Sequence, residues 1–440
     1  MIRIFREKDK SKLFARLDKR KITASNELTD SVRQIIADVR KRGDRALLKY
    51  TRQFDKIKLT ARQLRVQRQT LRAAAGRADA GLLRDLEKAI FNIHAYHSRQ
   101  VQESWEFAKK GVVLGQRVLP LDSVGVYIPG GSAAYPSSVL MNIIPAKIAG
   151  VRRIVAVTPP GTFQRHPVIA AALHELNATE VYLVGGVQAI AALAYGTDTI
   201  PRVDKIVGPG NAFVTAAKRE VFGQVDVDMI AGPSEIVVLA SSESNPRFIA
   251  ADMLSQAEHD ESACSICFTD SLAHAMLVER ELELQLETLS RKEIARRSLE
   301  NFGAIVIMDS IFQAAEWINE IAPEHLEIFS SIPRSIINSI RNAGAIFYGD
   351  YSPEAVGDYF AGSNHVLPTG GTARFFSPLG VYHFQRRTAI IRYTKEELAR
   401  TWKSIDALAR SEGLDAHAES VCIRQGPPRQ KPSALRDVRL

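Results

Sequence analysis

The feature that most constrains this chain is a repeated alternation of short apolar runs with helical patterns from about residue 121 onward. SVGVYIP (123–129), RIVAVTPPG (153–161), EVYLVGG (180–186) and KIVGPGN (205–211) read as strands running into Pro or Gly. Between them, PVIAAALHEL, VQAIAALAYG and NAFVTAAKREVFG read as helices, with Pro167 at a first turn and Gly223 at an end. Alternation at this spacing predicts βαβ units and a mostly parallel sheet. It resumes after about residue 235. EIVVLAS, SACSICFTD, GAIVIMDS, HLEIFSS and GAIFYGD read as strands, separated by helices at 245–259, 272–290, 311–321 and 333–342. Two α/β domains follow, the second assembled from segments on both sides of the first. A chain of 440 residues is long enough for two or three cores.

The first hundred residues read differently. A helix is expected over 29–53, capped by Thr29 or Ser31, with Val32, Ile35, Ile36 and Val39 on one face and Gly43 dividing it. Residues 61–100 are also helical in pattern, and 390–417 read as a helical tail. The expected boundaries are an N-terminal arm (1–28), one α/β domain from 29–120 plus 236–378, and a second over 121–235. A C-terminal helical arm (379–425) and a disordered basic tail (426–440) complete the chain.

Charge excludes one class of function. The chain carries a formal +9, but residues 1–21 hold nine Lys/Arg against three acids, and 424–440 hold five against Asp437. The remaining body is close to neutral. A nucleic-acid groove needs its basic residues on the folded surface, so these ends read as solvated arms and no nucleic-acid partner is expected. MIRIFREKDK has no apolar signal core, and no run approaches the length of a membrane span. A cytoplasmic protein without a membrane partner is expected. Cys264 and Cys267 have CxxC spacing inside a strand pattern, where positions three apart point to opposite faces, so they read as two core thiols.

Three glycine turns follow strands: Pro129-Gly130-Gly131, Gly185-Gly186 and Gly208-Pro209-Gly210-Asn211. Such turns bring backbone N–H groups and a helix N-terminus close to an anion, as a phosphate requires. No segment completes G-x-G-x-x-G, because Phe213 stands at the third glycine's place. Four histidines have richer company than the rest. Gln256 and His259 lie three apart near a helix end and face one side. Glu324 and His325 are adjacent where a helix gives way to a strand, an acid–base pairing in form. Asp358, Ser363, Asn364 and His365 crowd one loop; Glu412, Asp415 and His417 lie near the C-terminus. Nitrogen and oxygen donors of this kind suit zinc, although no linear zinc signature is present.

GVYIPGG, VGPGNAFVTAAKREV, DMIAGPSEIVVLA, ADMLSQAEHD, APEHLEI, GDYFAGSNHVLPTGG and EGLDAHAESV occur here in this order. Together they resemble the histidinol dehydrogenase family over roughly residues 25–425. The resemblance implies two incomplete Rossmann-like α/β domains with parallel sheets, an N-terminal helical segment, a C-terminal helical arm and an intertwined homodimer. It implies two successive NAD-dependent oxidations in histidine biosynthesis, L-histidinol to L-histidinal to L-histidine. It assigns one zinc ion per subunit to Gln256, His259, Asp358 and His417, and acid–base work to Glu324 and His325. Substrate contacts fall on Ser234, His365 and Glu412 as well as on these ligands and the acid–base pair. Cofactor contacts fall on Tyr127, Gln188 and Asn211, and His417 and Glu412 are supplied across the dimer interface. Asp260 stands where glycine is expected in many relatives. The alternative is a paralogous zinc/NAD dehydrogenase for another small polar alcohol, such as a sulfonated propanediol; Glu412 favours the first reading.

Overall fold

The structure, a computed structural model, describes residues 2–20, 26–130 and 135–426. The expectations for Gly131 and for most of the basic tail fall outside these residues. The chain divides into two compact units, Met1–Val101 with Pro120–Phe384, and Gln102–Leu119 with Gln385–Leu440.

The first unit holds two parallel sheets. One has six strands in the order Arg3–Arg6, Ala304–Ile307, Cys264–Thr269, Glu235–Leu239, His325–Ile328, Ala345–Tyr348. Its neighbours run parallel, with Ile236 level with both Ser265 and His325. The other has five, in the order Glu180–Leu183, Arg153–Thr158, Ser123–Tyr127, Lys205–Val207, Asp226–Val227. The order in which successive strands are added reverses between Ser123–Tyr127 and Lys205–Val207, which run parallel, and this is the switch point at which open α/β sheets leave a crevice. The central strands Ser123–Tyr127, Glu235–Leu239 and Cys264–Thr269 are buried along their whole length, which is why they read as continuous apolar runs instead of alternating ones. Cys264 and Cys267 pack in the two different cores flanking the six-stranded sheet, as opposite-facing strand positions must. Burial pushes their thiols up to about 11 and about 12.

Three expectations need correction. The N-terminal arm is not wholly solvated: Arg3–Arg6 pairs with Ala304–Ile307, and Leu13 of the helix Lys10–Asp18 is fully buried. An edge strand bracketed by arginines carries too weak an alternation to read from sequence. The segment 29–100 does not join the six-stranded sheet. Val32, Ile35, Ile36 and Val39 of Asn26–Arg42 pack with Ile190 and Val214 beside the five-stranded sheet, and Leu86, Ala89 and Ile93 of Ala80–His97 pack near Val124 and Val126 on its other side. Gly43 does divide the first helical region, with a φ of 51°. The C-terminal arm is not purely helical. Gln385–Tyr393 is a strand in a three-stranded sheet with the hairpin Trp105–Lys109/Val112–Pro120. That hairpin turns on Lys110 and Gly111, both with positive φ, the two-residue turn that suits strand twist. In this sheet Trp105–Lys109 and Gln385–Tyr393 are almost wholly exposed and Val112–Pro120 is mostly half-buried, so they lack the buried face that makes a strand legible. The helices Lys395–Ser411 and Asp415–Cys422 follow. Among the described residues no helix is long and apolar enough to cross a membrane.

Candidate active site

Two sites stand on opposite kinds of sheet edge. The first lies where the strands of the six-stranded sheet begin. The helix Ile311–Ile321 ends at Ala322, a non-glycine residue in the left-handed region at φ 51°. Pro323 follows, and Glu324 and His325 open the next strand. A strained residue just before two polar side chains is a recurrent feature of functional turns. Both side chains are buried, Glu324 at 6% and His325 at 3% exposure.

The surroundings of His325 are drawn from three further segments. Asn245 caps the helix Pro246–Ala257, with Pro246 in its first turn. Its far end carries Gln256, fully buried, and His259 follows in an exposed position. With its nitrogen turned to this side, the Gln256 amide donates to Glu354 Oε2 and the Glu235 carbonyl, both at 3.3 Å, and reaches His325 Nδ1 at 3.1 Å. The short helix Glu354–Tyr359 presents Glu354 and Asp358 one turn apart. Glu354 Oε1 lies 3.6 Å from His325 Nδ1, and Asp358 Oδ1 lies 3.7 Å from Nε2. His325 Nε2 is buried without a hydrogen-bond partner. One donor atom each from His325, Glu354 and Asp358 falls within 4.8 Å of the others. His365 turns its Nδ1 to the Asp358 carbonyl at 3.1 Å, which leaves Nε2 for another partner. Asn364 ties this loop to the Met141 carbonyl at 2.7 Å.

Burial and this concentration of charge together move the proton affinities of His325, Glu324, Glu354 and Asp358. Burial pulls the His325 imidazole down, but Glu354, Glu324 and Asp358 outweigh it and push it up to about 10. Burial pushes Glu324 up to about 7, with His325 opposing, and Glu354 up to about 8. Asp358 is different. Burial disfavours its charge, yet His325, His365 and His259 hold its pKa below the usual carboxylate range. Glu324 Oε2 accepts a hydrogen bond from the Glu235 N–H at 3.1 Å. Ser234, one residue earlier, is half-buried beside it. A second layer lies beneath. Glu327, two residues along the strand from His325 and so on the same face, accepts from the Glu354 N–H at 2.6 Å and is hydrogen-bonded to Asp252.

The second site lies at the carboxyl edge of the five-stranded sheet. A cavity of about 620 Å³ is lined there by Tyr127, Gly130, Gly185, Gly186, Gln188 and Asn211, among others. Gly208 has φ 111°, and a Cβ on it would run into the Tyr127 carbonyl, so only glycine brings these two strand ends together. The turn is fixed by a buried pair. Asp228 Oδ2 accepts from Gly208 N–H at 2.8 Å, while Lys218 donates to Gly208 O at 2.9 Å and pairs with Asp228. Gly186 N–H, at the start of the helix Gly186–Tyr195, donates to the Tyr127 hydroxyl at 3.1 Å. Asn211 Oδ1 caps Ala212–Val221 by accepting from Val214 N–H, leaving its amide nitrogen available. Gln188 Oε1 is buried without a partner. Phe213, the residue that breaks the glycine fingerprint, lines the cavity with Phe54, and both rings are about half exposed.

The structure thus brings together Gln256, Asp358, Glu324, His325 and His365, with His259 near enough to act electrostatically on Asp358. It gathers Tyr127, Gln188 and Asn211 separately. Glu412 and His417 belong to the second unit and are exposed there. Sequence reasoning missed Glu354, Glu327 and Asp55. Glu354 was signalled by its four-residue spacing from Asp358, and Glu327 by its two-residue spacing from His325. Asp55 had no periodic signal; it lines the 620 Å³ cavity, and burial pushes it up to about 6.

The chain is similar to known proteins over nearly its whole length. The family model "Histidinol dehydrogenase" matches residues 18–425. A histidinol dehydrogenase of Listeria monocytogenes is 53% identical over 401 residues, 91% of this chain and 93% of that one. One from Bacillus subtilis is 53% identical over 410 residues, 92% and 96% of the two chains. The crystal structure of histidinol dehydrogenase from Elizabethkingia anophelis superposes with a TM-score of 0.90 at 34% identity, covering 96% of this chain and 98% of that one.

Proposed function

The chain belongs to the histidinol dehydrogenase family, and from that premise we propose that it oxidises L-histidinol to L-histidine through L-histidinal. The observation that carries this reading is the meeting of Glu324, His325, Asp358 and Gln256, from three separate chain segments, at one buried edge.

The residues fit the two groups the reaction needs. Asp358 kept ionised, His259 beside it and an amide at Gln256 make a nitrogen–oxygen donor set suited to zinc. His417 from a second copy completes it in our reading, one ion per subunit. Zinc bound there supplies orientation for the substrate's imidazole and amine. The carboxyl-edge cavity, with its helix N-terminus, orphaned Gln188 oxygen and flanking rings, fits a nicotinamide dinucleotide, which accepts a hydride at each step.

The chain's own residues then handle protons and water. In the first step His325 takes the hydroxyl proton as the carbinol C–H bond breaks and its hydride leaves, giving the aldehyde. His325 can serve as this base once the negative charge around it is shared with a cation at Asp358. In the second, Glu324, poised near neutrality, removes a proton from water as its oxygen adds to the aldehyde carbon, while His325 returns the proton it took in the first step to the carbonyl oxygen. The resulting gem-diol loses its remaining C–H hydride and a hydroxyl proton, giving the carboxylic acid. Ser234, His365 and, across a dimer interface, Glu412 contact the substrate. The reaction class favours a cytoplasmic protein.

NADH formation from L-histidinol, abolished by a chelator and restored by zinc, tests the reading. Reduction of NAD by a sulfonated propanediol but not by histidinol would overturn it. For the shared site, verified heterodimers of His417→Asn and His325→Asn subunits should recover activity, because both defects collect in one site; no recovery refutes the crossing arm.

A further inference from the structure

Arg20 lies in the segment whose charge gave it the look of a solvated arm, yet its side chain is only 7% exposed. Its guanidinium is used almost completely. Nη1 donates to Glu235 Oε2 at 2.7 Å, Nε to Ser262 O at 3.0 Å, and Nη2 to Pro233 O and Ser234 O at 3.1 and 3.0 Å. It also stands 5.7 Å from the centre of the Phe302 ring. A guanidinium fork that reads one carboxylate and three carbonyls specifies backbone geometry in a way a point charge does not.

What it specifies is the peptide between Ser234 and Glu235. A trans peptide is planar, and its C=O and N–H point in opposite directions. Arg20 and the Cys264 N–H hold the Ser234 oxygen from one side, each at 3.0 Å. The Glu235 N–H at the other side of the same plane meets Glu324 Oε2 at 3.1 Å. The Glu235 side chain, level with this peptide, is fixed by Arg20 and by the Gly371 N–H at 3.4 Å.

We propose that Arg20 is a positioning residue for Glu324: it orients the Ser234–Glu235 peptide so that the Glu235 N–H aims the Glu324 carboxylate for water activation. It also neutralises Glu235, whose charge would otherwise stand buried beside Glu324. The inference rests on the roles assigned above to Glu324 and His325. It predicts an asymmetry. His325 is held chiefly by Glu354 and Asp358; it and Gln256 meet Glu235 only at its carbonyl, one peptide beyond the one whose oxygen Arg20 grips, so the alcohol step keeps most of its geometry. The aldehyde step, which needs Glu324, does not.

The test is Arg20→Lys in the zinc-loaded full chain, with the double variant Arg20→Met/Glu235→Gln as a charge-free control if the lysine is poorly accommodated. Oxidation of L-histidinal should fall on the order of 10²-fold, the cost of a misplaced catalytic group. The first hydride transfer from L-histidinol should change far less, and bound zinc should stay stoichiometric. NADH formed per histidinol consumed should drop from two toward one, with the aldehyde recovered by a carbonyl trap. Equal losses in both oxidations, or no loss, overturn the role of Arg20 while leaving the proposed function intact. A wild-type chain inert toward both histidinol and histidinal overturns the proposed function and this inference together.

Discussion

The two parallel sheets of the first unit use opposite edges. The five-stranded sheet gathers its glycine turns beyond the carboxyl ends of its strands, beside the switch point, where open α/β sheets bind ligands. The six-stranded sheet gathers Ser234, Glu235, Glu324 and His325 at the amino ends. The difference is one of chemistry. At the carboxyl edge, backbone N–H groups and helix N-termini are available, and these suit an anion. At the amino edge the helix Pro246–Ala257 arrives by its C-terminal end, with Gln256, while the short helix Glu354–Tyr359 brings the carboxylates of Glu354 and Asp358. Helix C-termini favour positive charge. A site made of carboxylates, imidazoles and a helix C-terminus suits a cation, and a site made of turns and helix N-termini suits a phosphate, as the proposed function has them.

The sharpest way to break this division is to damage one edge and read the other. His325→Asn should lower turnover about 10²- to 10⁴-fold, the usual contribution of a positioned acid–base group. NADH binding, followed by fluorescence, and zinc content should be unchanged. A large loss of NADH affinity would show the edges to be coupled. His259→Asn should lose zinc and turnover together while NADH binding survives. Metal analysis after gel filtration decides this, and stoichiometric zinc in the variant would remove His259 from the donor set.

The reverse damage is smaller. Gly208→Ala puts a methyl group against the Tyr127 carbonyl in a backbone region that L-residues avoid. The turn must open, at a cost of about 1–3 kcal/mol. The KM for NAD should rise, with zinc content and turnover at saturating NAD nearly retained. If turnover collapsed at saturating NAD instead, the glycine turn would be shaping the catalytic edge too.

The same contrast governs what could be read from sequence. The glycine turns of the carboxyl edge lay in continuous motifs, because a strand, its turn and the following helix are contiguous in the chain, whereas the roles of Tyr127, Gln188 and Asn211 came from family resemblance. Ile311–Ile321, a buried helix with helical spacing, came out with the bounds expected. The amino-edge site is assembled from residues separated by up to about 130 positions, Ser234 to His365, and its coordination had to be taken from family resemblance. Glu354 shows why. Its carboxylate means little until the strand His325–Ile328 sets an imidazole 3.6 Å away. Arg20 shows the opposite failure, since its local sequence is a run of charge and only the tertiary fold makes it a buried clamp.

The least conspicuous part of the cation edge offers the finest test. Asp252 and Glu327 form a buried, hydrogen-bonded carboxyl pair under Glu354, and burial together with their mutual repulsion raises Glu327 well above the ordinary range. A raised carboxyl binds its proton in the folded state at pH values where the unfolded chain has released it. Stability from this pair is therefore present at low pH and falls as pH rises from the ordinary carboxylate range toward the raised value. Glu327→Gln keeps an oxygen to accept the Glu354 N–H and removes one titrating proton. Its stability should fall less than that of the unmodified chain between about pH 6 and about pH 9, by on the order of 1 kcal/mol for each pKa unit removed within that window. Denaturant midpoints at the two pH values measure the slope. Equal slopes would mean that the pair is not protonated in the folded state, and that the cation edge carries more unshared negative charge than its burial implies.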